Sequence, residues 1–439
     1  MSLICGTDHD ECYTSADAMR IEAIWRARSL SLRSTLNFHS ALMKKLRVGI
    51  LFGGRSGEHE VSLLSAASVL QAMDQNKYDV HLIGITKDGR WLTAGDAAHL
   101  LPTSTGETQH LRAGDPEATP GAALLEHGKE VVVQPVPSSA EHAGSSLAAL
   151  RTSAEKSLNV DVIFPVLHGT FGEDGTVQGL LELADIAYVG SGVLGSSAGM
   201  DKDVMKRLFA AAKLPIPKHV TLLRSEWQQY PRRAMHRVEA ALRYPMFVKP
   251  ANLGSSVGIS KAHDRKELAI AIDLAASYDR KIVIEVSIGG KRSKARELEV
   301  AVLGNDLPEA SVVGEVIPCK EFYDYEAKYL SEGSQLIIPA KLTKPETKRV
   351  RQMAIEAFRA CDLAGMARVD FLMEPGVSSG TRPRKIYLNE VNTLPGFTAI
   401  SMYPKLWQAS GLPYSQLIDR LIQLALERHE EKKSNRYDL

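Results

Sequence analysis

Two short segments near the end of the chain place polar side chains at the two-residue spacing of a strand face. In the segment that reads RVDF, alternation puts Arg368 and Asp370 on one face of a β-strand. In the segment YLNEVN, the same rule puts Glu390 and Asn392 together. If these strands pair, two carboxylates and an amide oxygen converge beside a guanidinium, which suits Mg²⁺ and substrate phosphates. A polar sheet edge that faces solvent is the alternative.

The segment NTLPGF at 392–397 predicts a tight turn directly after the second of these strands. The free backbone N–H groups of such a turn can hold an oxyanion. The sequence therefore predicts a candidate oxyanion site next to the candidate metal site.

A second phosphate signal is a lysine at the end of a predicted strand. Lys249 ends an apolar run, and residues 250–258 read PANLGSSVG. Small side chains let backbone N–H groups approach a phosphate closely while the lysine supplies charge. An ordinary hairpin with a solvated lysine is the alternative. Farther upstream, Asp201 is expected to cap a helix, and Lys202 is either another phosphate ligand or a surface lysine.

Several familiar motifs are absent from the chain. No G-x-x-x-x-G-K-[ST] occurs, and the glycine turn at 53–57 does not match G-x-G-x-x-G. The serine-hydrolase pattern G-x-S-x-G occurs at 195–199 and 254–258, but neither copy follows directly on a strand. No HExxH and no Cys/His cluster supports zinc. The missing motifs disfavour a P-loop, a dinucleotide fold and a zinc enzyme. The position of the two G-x-S-x-G copies disfavours a serine hydrolase.

Hydrophobic periodicity predicts the elements that position these residues. An apolar run at 47–52 ends in two glycines, a helical pattern covers 63–73, and a second strand covers 80–85. This order opens a doubly wound α/β unit, whose ligands gather at the strand C-termini. Residues 96–157 are interpreted as a long excursion with one short strand near 131–133. Further strands are predicted at 162–164, 246–248, 282–284, 298–303, 369–371 and 386–388, and helices at 201–212, 264–277, 345–361 and 414–428.

Length and charge set the broad class. The 439 residues exceed one compact core and indicate two or three domains. The 53 basic and 52 acidic residues leave a net charge of +1, which disfavours nucleic acid or anionic lipid as a partner. No apolar run approaches the roughly 18 residues that cross a bilayer. The four cysteines form no C-x-x-C pair, which is typical of a reducing cytosol, so we expect a cytoplasmic protein.

The first 45 residues differ from the rest of the chain. They are polar and contain several arginines and serines, and they lack the apolar block of a secretory signal. We interpret residues 1–45 as a dispensable leader, with the domain proper beginning near Met43. A targeting peptide and an ordered arm are the alternatives.

Four segments, in order along the chain, match blocks of a known family. Residues 168–179 (HGTFGEDGTVQG) and 368–396 closely resemble the two signatures of the D-alanine–D-alanine ligases, and residues 53–62 and 322–329 are similar to two further blocks. The resemblance runs from about 46 to 426. It implies a three-domain ATP-grasp fold, in which an N-terminal doubly wound (Rossmann-like) parallel-sheet domain accompanies two α+β domains that clasp ATP. The implied domains are 46–195, 196–284 and 285–430, with a lid loop at about 319–334.

The resemblance also implies the reaction. A ligase of this family joins two D-alanines through a D-alanyl phosphate, and it releases D-alanyl-D-alanine, ADP and phosphate for peptidoglycan synthesis. The implied cofactors are ATP and two Mg²⁺ (or Mn²⁺) ions. The implied assembly is a homodimer without nucleic-acid or membrane partners.

The nucleotide roles are carried over from the family by position. The implied metal ligands are Asp370, Glu390 and Asn392. The implied phosphate-binding lysines are Lys202, Lys249 and Lys328. Glu285 and Glu297 resemble the acids that bind adenine and ribose, although the long basic stretch at 289–295 leaves Glu299 as an alternative to Glu297.

The substrate roles follow in the same way. Glu60 resembles the acid that holds the first D-alanine ammonium, linked through Ser255 to Tyr329; capping of a helix N-terminus is its alternative role. Arg368 and the Gly396 N–H resemble the oxyanion site. Ser401 and Met402 resemble the residues that bind the second carboxylate. His168 is either near that subsite or a packed core histidine.

Two rival functions remain open from the sequence. A depsipeptide or D-alanyl-D-serine ligase would share most motifs, but the complete block 326–329 favours D-alanine as the nucleophile. A non-catalytic ATP-binding sensor would not need the metal trio of Asp370, Glu390 and Asn392.

Overall fold

The computed structural model describes residues 45–93, 129–133, 150–152, 157–158, 160–289, 294–317, 335–376, 384–398 and 400–436. The predicted leader, most of the 96–157 excursion and the predicted lid with Lys328 and Tyr329 lie outside these residues. Among the described residues, three sheets and ten helices are present, and no helix is long and apolar enough to cross a membrane.

The first sheet has eight strands in the order β6-β5-β4-β3-β2-β1-β7-β8. Its central strand β1 pairs in parallel with β2 and β7, while β3 to β6 add on in antiparallel pairs. The parallel half is the predicted doubly wound unit. The excursion contributes three strands rather than the single one predicted. The strands are β1 Leu46–Gly53, β2 Tyr78–Ile85, β3 Trp91–Thr93, β4 Lys129–Val133, β5 Leu150–Thr152, β6 Ser157–Leu158, β7 Val162–Pro165 and β8 Ala187–Tyr188.

The second sheet has four antiparallel strands in the order β11-β10-β12-β9. Apolar side chains of the sheet and of its helices form one core that includes Val248, Ile284 and Ile272. The elements are β9 His219–Leu223, α5 Arg224–Gln229, α6 Pro231–Ala241, β10 Met246–Pro250, β11 Ser260–Ala262, α7 Arg265–Tyr278 and β12 Lys281–Val286.

The third sheet has five antiparallel strands in the order β15-β14-β13-β16-β17. The long helix over 344–360 packs on this sheet, and it begins with a capping box in which Thr343 and Glu346 bond each other's backbone N–H. The elements are β13 Arg296–Gly304, β14 Glu309–Ile317, β15 Gln335–Ile337, α8 Lys344–Ala360, β16 Gly365–Met373 and β17 Ile386–Asn392.

The remaining helices connect the sheets. The first copy of G-x-S-x-G lies inside a helix over 193–200, so it is not a nucleophile elbow. Asp201 caps the next helix as predicted, because its carboxylate accepts hydrogen bonds from the N–H groups of Asp203 and Val204, both at 3.1 Å. These helices are α1 His59–Ala72, α2 Thr176–Leu183, α3 Val193–Met200, α4 Lys202–Ala211, α9 Met402–Ala409 and α10 Tyr414–Lys433.

Candidate active site

Strands β16 and β17 pair in the register that the alternation requires. Arg368 lies opposite Asn392, and Asp370 lies opposite Glu390. The intervening Val369 is fully buried, whereas Arg368 and Asp370 are partly exposed. The predicted convergence of two carboxylates and an amide beside an arginine is therefore confirmed.

The Arg368 side chain binds two carboxylates. The Arg368 guanidinium donates two hydrogen bonds to the Asp370 carboxylate, at 2.8 and 2.7 Å, and its Nε lies 3.1 Å from Oε2 of Glu299. The Oδ1 atom of Asn392 is buried and accepts no hydrogen bond from the described residues. A buried oxygen acceptor beside two carboxylates is the kind of ligand that a hard divalent cation uses, so the residues fit the implied metal.

Two lysines from different elements, of which only Lys249 was predicted, meet around one carboxylate. Glu285 on β12 forms ion pairs with Lys249 on β10 and, at 2.8 Å, with Lys206 on α4. Burial alone would raise the pKa of Glu285, but the two lysines outweigh it and hold the pKa at about 2. The predicted adenine contact of Glu285 stays a prediction, and the structure adds that both carboxylate oxygens already bind lysines.

Lys206 was missed by the sequence analysis. It lies one turn after Lys202, and this i,i+4 spacing on α4 was the available signal. Its side chain is only 1% exposed, which a lysine pattern alone does not reveal.

The two candidate ribose acids occupy different surroundings. Glu299 is buried and pairs with Arg368. Glu297 instead lies close enough to Lys249 to affect its charge: burial lowers the pKa of Lys249, but the Glu285, Glu390 and Glu297 carboxylates together raise it. This geometry favours Glu297 as the acid on the lysine side.

The small-residue loop after β10 has an irregular backbone. Ser255, Ser256 and Gly258 all have positive φ angles, of 45°, 58° and 70°. Non-glycine residues in this region cost on the order of 1–3 kcal/mol and cluster at ligand-binding sites. Lys202 fixes the loop by donating a 2.8 Å hydrogen bond to the Leu253 carbonyl, and its Nζ lies 3.7 Å from Oε2 of Glu390.

One cavity is lined by several of these residues, although Lys249, Glu285 and Asp370 are not among them. Five of the predicted site residues line it: Lys202, Ser255, Arg368, Glu390 and Asn392. Two carboxylates that the sequence analysis did not select, Glu58 and Glu173, line it as well.

Glu58 replaces Glu60 as the acid that faces the cavity, which corrects the prediction. Glu60 is partly exposed and pairs with Lys87 on the surface. Glu58 is 7% exposed, and its Oε2 atom would lie 2.6 Å from a Cβ placed on Gly169 and 3.0 Å from one on Gly254. Helix α1 begins at His59, so residues two positions apart point in nearly opposite directions around its start. The family block contains both glutamates, so the sequence alone did not show which of the two faces the cavity.

Glu173 connects the two signature segments. Its carboxylate accepts hydrogen bonds from the Gly169 N–H at 2.7 Å and from the Leu394 N–H at 3.4 Å. Burial and the nearby Glu58 carboxylate raise the pKa of Glu173 to about 8. The only sequence signal for this role was its place inside the first signature.

The surroundings of His168 support the alternative of a packed core histidine, because both ring nitrogens contact protein atoms, and its substrate contact stays a prediction. Its ring is buried, with Nδ1 3.1 Å from the Leu394 carbonyl and Nε2 3.0 Å from the Ser65 hydroxyl. Because a carbonyl only accepts, Nδ1 carries the proton and Nε2 accepts from Ser65. Burial lowers the pKa of His168 to about 4.

The residues assigned to the second substrate lie around the turn after β17. Ser401 accepts a 3.0 Å hydrogen bond from the Thr398 N–H, and a Cβ on Gly396 would lie 3.0 Å from the Ser401 hydroxyl. Met402 is buried against Gly314. Within the described part of the chain, Gly396, Ser401 and Met402 do not line the cavity. The oxyanion role of Gly396 and the substrate roles of Ser401 and Met402 therefore stay predictions.

Comparison with known proteins agrees with this arrangement. Family models described as D-ala D-ala ligase N-terminus and C-terminus match residues 47–191 and 208–423. A D-alanine–D-alanine ligase of Bacillus cytotoxicus is 47% identical over 397 residues, covering 90% of this chain and 100% of that protein. The ligase of Natranaerobius thermophilus is 49% identical, covering 90% of this chain and 99% of that protein.

Solved structures give the same result. The VanG D-Ala:D-Ser ligase of Enterococcus faecalis superposes with a TM-score of 0.71 at 35% identity, covering 87% of this chain and 100% of that one. The D-alanine–D-alanine ligase of Coxiella burnetii gives 0.68 at 33% identity, covering 89% and 97%. The predicted ATP-grasp fold class is thereby confirmed, and the chain belongs to the D-alanine–D-alanine ligase family.

Proposed function

We propose that this chain joins two D-alanines with ATP, through a D-alanyl phosphate, and supplies D-alanyl-D-alanine for peptidoglycan precursors. The observation that carries the proposal is the single cavity in which Lys202, Arg368, Glu390 and Asn392 meet. The names and identities of the relatives support the same reaction.

The first step transfers a phosphoryl group. The carboxylate of one D-alanine attacks the γ-phosphorus of ATP, the bond to ADP breaks, and D-alanyl phosphate forms. Lys202 and Lys249 neutralise phosphate charge, and the Glu58 carboxylate binds the D-alanine ammonium. Asp370, Glu390 and Asn392 would hold the two Mg²⁺ or Mn²⁺ ions. Bound there, the ions would supply positive charge for the phosphates. The contribution of Lys202, Lys249 and Glu58 is to position the substrates and to balance their charge.

The second step forms the peptide bond. The free amine of the second D-alanine attacks the acyl carbonyl, phosphate leaves, and the nitrogen loses a proton. The tetrahedral intermediate carries an oxyanion, which Arg368 and the Gly396 N–H stabilise. His168 and Glu173 support this site indirectly, because both bond the backbone of Leu394 in the same turn.

The domain boundaries, the assembly and the location belong to the same proposal. The domains 46–195, 196–284 and 285–430 are supported by the three sheets, although β12 of the second sheet runs to Val286, two residues past the proposed boundary. A cytoplasmic homodimer that acts on small molecules is the assembly that we propose from the family resemblance.

A direct assay tests the function. The full chain with ATP, Mg²⁺ and D-alanine should release phosphate and D-alanyl-D-alanine in equal amounts. Nucleotide turnover without dipeptide would reject the proposal.

A second nucleophile has a specific observation in its favour, because the VanG structure is that of a D-Ala:D-Ser ligase. The same assay with D-serine or D-lactate beside D-alanine, with the products identified, separates the alternatives, and a range of pH further distinguishes D-lactate. An amine nucleophile weakens as it protonates at low pH, whereas the hydroxyl of D-lactate does not.

A further inference from the structure

Two buried lysines share one carboxylate and one asparagine. Lys206 and Lys249 both form ion pairs with Glu285, one on each carboxylate oxygen. Both lysines also donate 3.3 Å hydrogen bonds to Asn389, Lys249 to the side-chain Oδ1 and Lys206 to the backbone carbonyl. The four residues therefore form a closed ring of two ion pairs and two hydrogen bonds, which we call the lysine ring.

A β-bulge makes this ring possible. Asp370 pairs with Glu390 and Phe371 pairs with Leu388, so Asn389 is an extra residue in β17 without a partner position in β16. In a regular strand, Asn389 and Glu390 would point to opposite faces. The bulge re-aims one of them, as bulges beside active sites do. Asn389 can then contact Lys249 while Glu390 lines the cavity.

The second lysine changes the charge that the nucleotide meets. Lys249 and Glu285 alone would form a neutral pair, and the carboxylate would hold the ammonium against a phosphate. With Lys206 included, the three charges sum to +1, because two cations share one anion. Electrostatic interactions are strong here, since the side chains of Lys206 and Glu285 are only 1% and 2% exposed.

We propose that Lys206 is a positioning residue for nucleotide binding. It balances Glu285 so that Lys249, held in place by Glu285 and Asn389, retains a net positive charge for the phosphates. Lys206 does not itself touch the nucleotide. The choice of ATP as the ligand rests on the proposed function. The role of Lys206 is tested by nucleotide binding and does not require turnover.

The experiment measures binding of the β,γ-imido analogue of ATP with Mg²⁺ to the full chain by calorimetry. Three variants are compared with the parent: Lys206→Met, Lys206→Arg, which keeps the positive charge, and Arg207→Met. Arg207 is the matched control, since it is the next residue on α4, is 71% exposed and pairs with Asp203. Circular dichroism and thermal unfolding monitor the fold.

We expect Lys206→Met to weaken binding about tenfold or more and Lys206→Arg to bind within about threefold of the parent, since it restores the positive charge beside Glu285. Arg207→Met should bind as the parent does. Unchanged binding by Lys206→Met would overturn the proposal. Binding by Lys206→Arg that is more than threefold weaker than the parent would overturn it as well, because the charge would then not be what matters. An equal loss in Arg207→Met would also overturn it.

Two further outcomes are also decisive. If Lys206→Met does not fold, Lys206→Gln takes its place with the same tenfold limit, because it removes the charge but can still donate a hydrogen bond to the Asn389 carbonyl. A parent chain that binds the analogue but makes no dipeptide would contradict the proposed function. The role of Lys206 would still be decided by the binding of its variants.

Discussion

Acidic residues around the cavity differ in charge state because their neighbours differ. Two lysines hold the pKa of Glu285 at about 2, whereas burial and the Glu58 carboxylate raise that of Glu173 to about 8. Glu60, two positions after Glu58, lies at the surface with Lys87. Glutamates of the same family blocks therefore differ in pKa and in surroundings, and the contacts of each one indicate its role better than its residue type does.

The strongest test of the candidate metal site is Glu390→Gln. The substitution keeps the shape of the side chain and removes one of the charges that would hold the cation. We expect phosphate release to fall by about a hundredfold or more, on the scale of lost electrostatic stabilisation. Thermal unfolding should stay close to that of the parent.

Glu374→Gln is the control for this test. Glu374 follows β16 and accepts a hydrogen bond from the Tyr387 hydroxyl, and it does not line the cavity. An unaltered kcat in Glu390→Gln would mean that the metal site lies elsewhere.

His168 predicts a pH dependence of stability. Its pKa in the folded protein is about 4, below the ordinary value of 6.5, so the unfolded chain binds the extra proton between these values. The contribution of His168 is complete above pH 6.5 and is lost as the pH falls towards 4. It should amount to about 2 kcal/mol between pH 7 and pH 5.

The measurement is urea unfolding of the parent and of His168→Asn at both pH values. Groups common to both proteins cancel in the comparison. The free energy of unfolding should fall more steeply with acid in the parent, and parallel slopes would contradict the prediction.

At the scale of elements, residues at the end of α7 contact both ends of the small-residue loop at 250–258. The Asp279 carboxylate accepts a 2.7 Å hydrogen bond from the Asn252 N–H, where the loop begins. The Tyr278 ring packs on Gly258, where the loop ends, and a Cβ there would lie 2.6 Å from the ring. The positive φ of Gly258 and this contact both require glycine. The helix therefore supports the loop conformation.

Asp279→Ala should weaken ATP binding. The lost hydrogen bond is worth about 1 kcal/mol, so we expect the KM for ATP to rise about fivefold to tenfold while the helix remains folded. Steady-state kinetics with saturating D-alanine measures this.

The opposite end of the same helix provides the control for Asp279→Ala. Asp264 caps α7 through the N–H groups of Lys266 and Glu267. Asp264→Ala should lower the thermal midpoint without changing the KM for ATP. Equal KM values in the two variants would show that the loop does not depend on Asp279.

At the scale of the whole molecule, the first strand and the last helix share one core. Val48 and Ile50 of β1 belong to the same buried cluster as Leu417 and Leu421 of α10. Asp419 on α10 also binds the first sheet, at 2.7 Å from the Tyr78 hydroxyl. The C-terminal helix, predicted as part of the last domain, is therefore packed on the first sheet.

This shared core predicts opposite effects of two truncations. A chain that begins at Met43 retains β1 and should keep the kcat and KM of the full chain. A chain that ends at Leu412 loses α10, exposes buried residues of the first sheet, and should lose cooperative thermal unfolding. Reduced kcat in the chain from Met43 would give the first residues a role in catalysis.

Local patterns in the sequence predicted most helices and strands, and they predicted the part of the site that lies on β16 and β17. Two-residue alternation identified the face that carries Arg368 and Asp370, because strand geometry relates side chains that are close along the chain. The cap at Asp201 was equally readable, since its partners lie two and three residues away. The four family blocks identified the fold class and the family.

Only the tertiary structure decided which charged groups meet. In the folded chain Glu58, and not Glu60, lines the cavity, and both ring nitrogens of His168 contact protein atoms. Lys206 donates a hydrogen bond to Asn389, which lies 183 residues farther along the chain. Periodicity describes how a residue is oriented on its own element. Burial and ion pairing depend on which other elements pack against that face, and this follows from the folding of distant segments together.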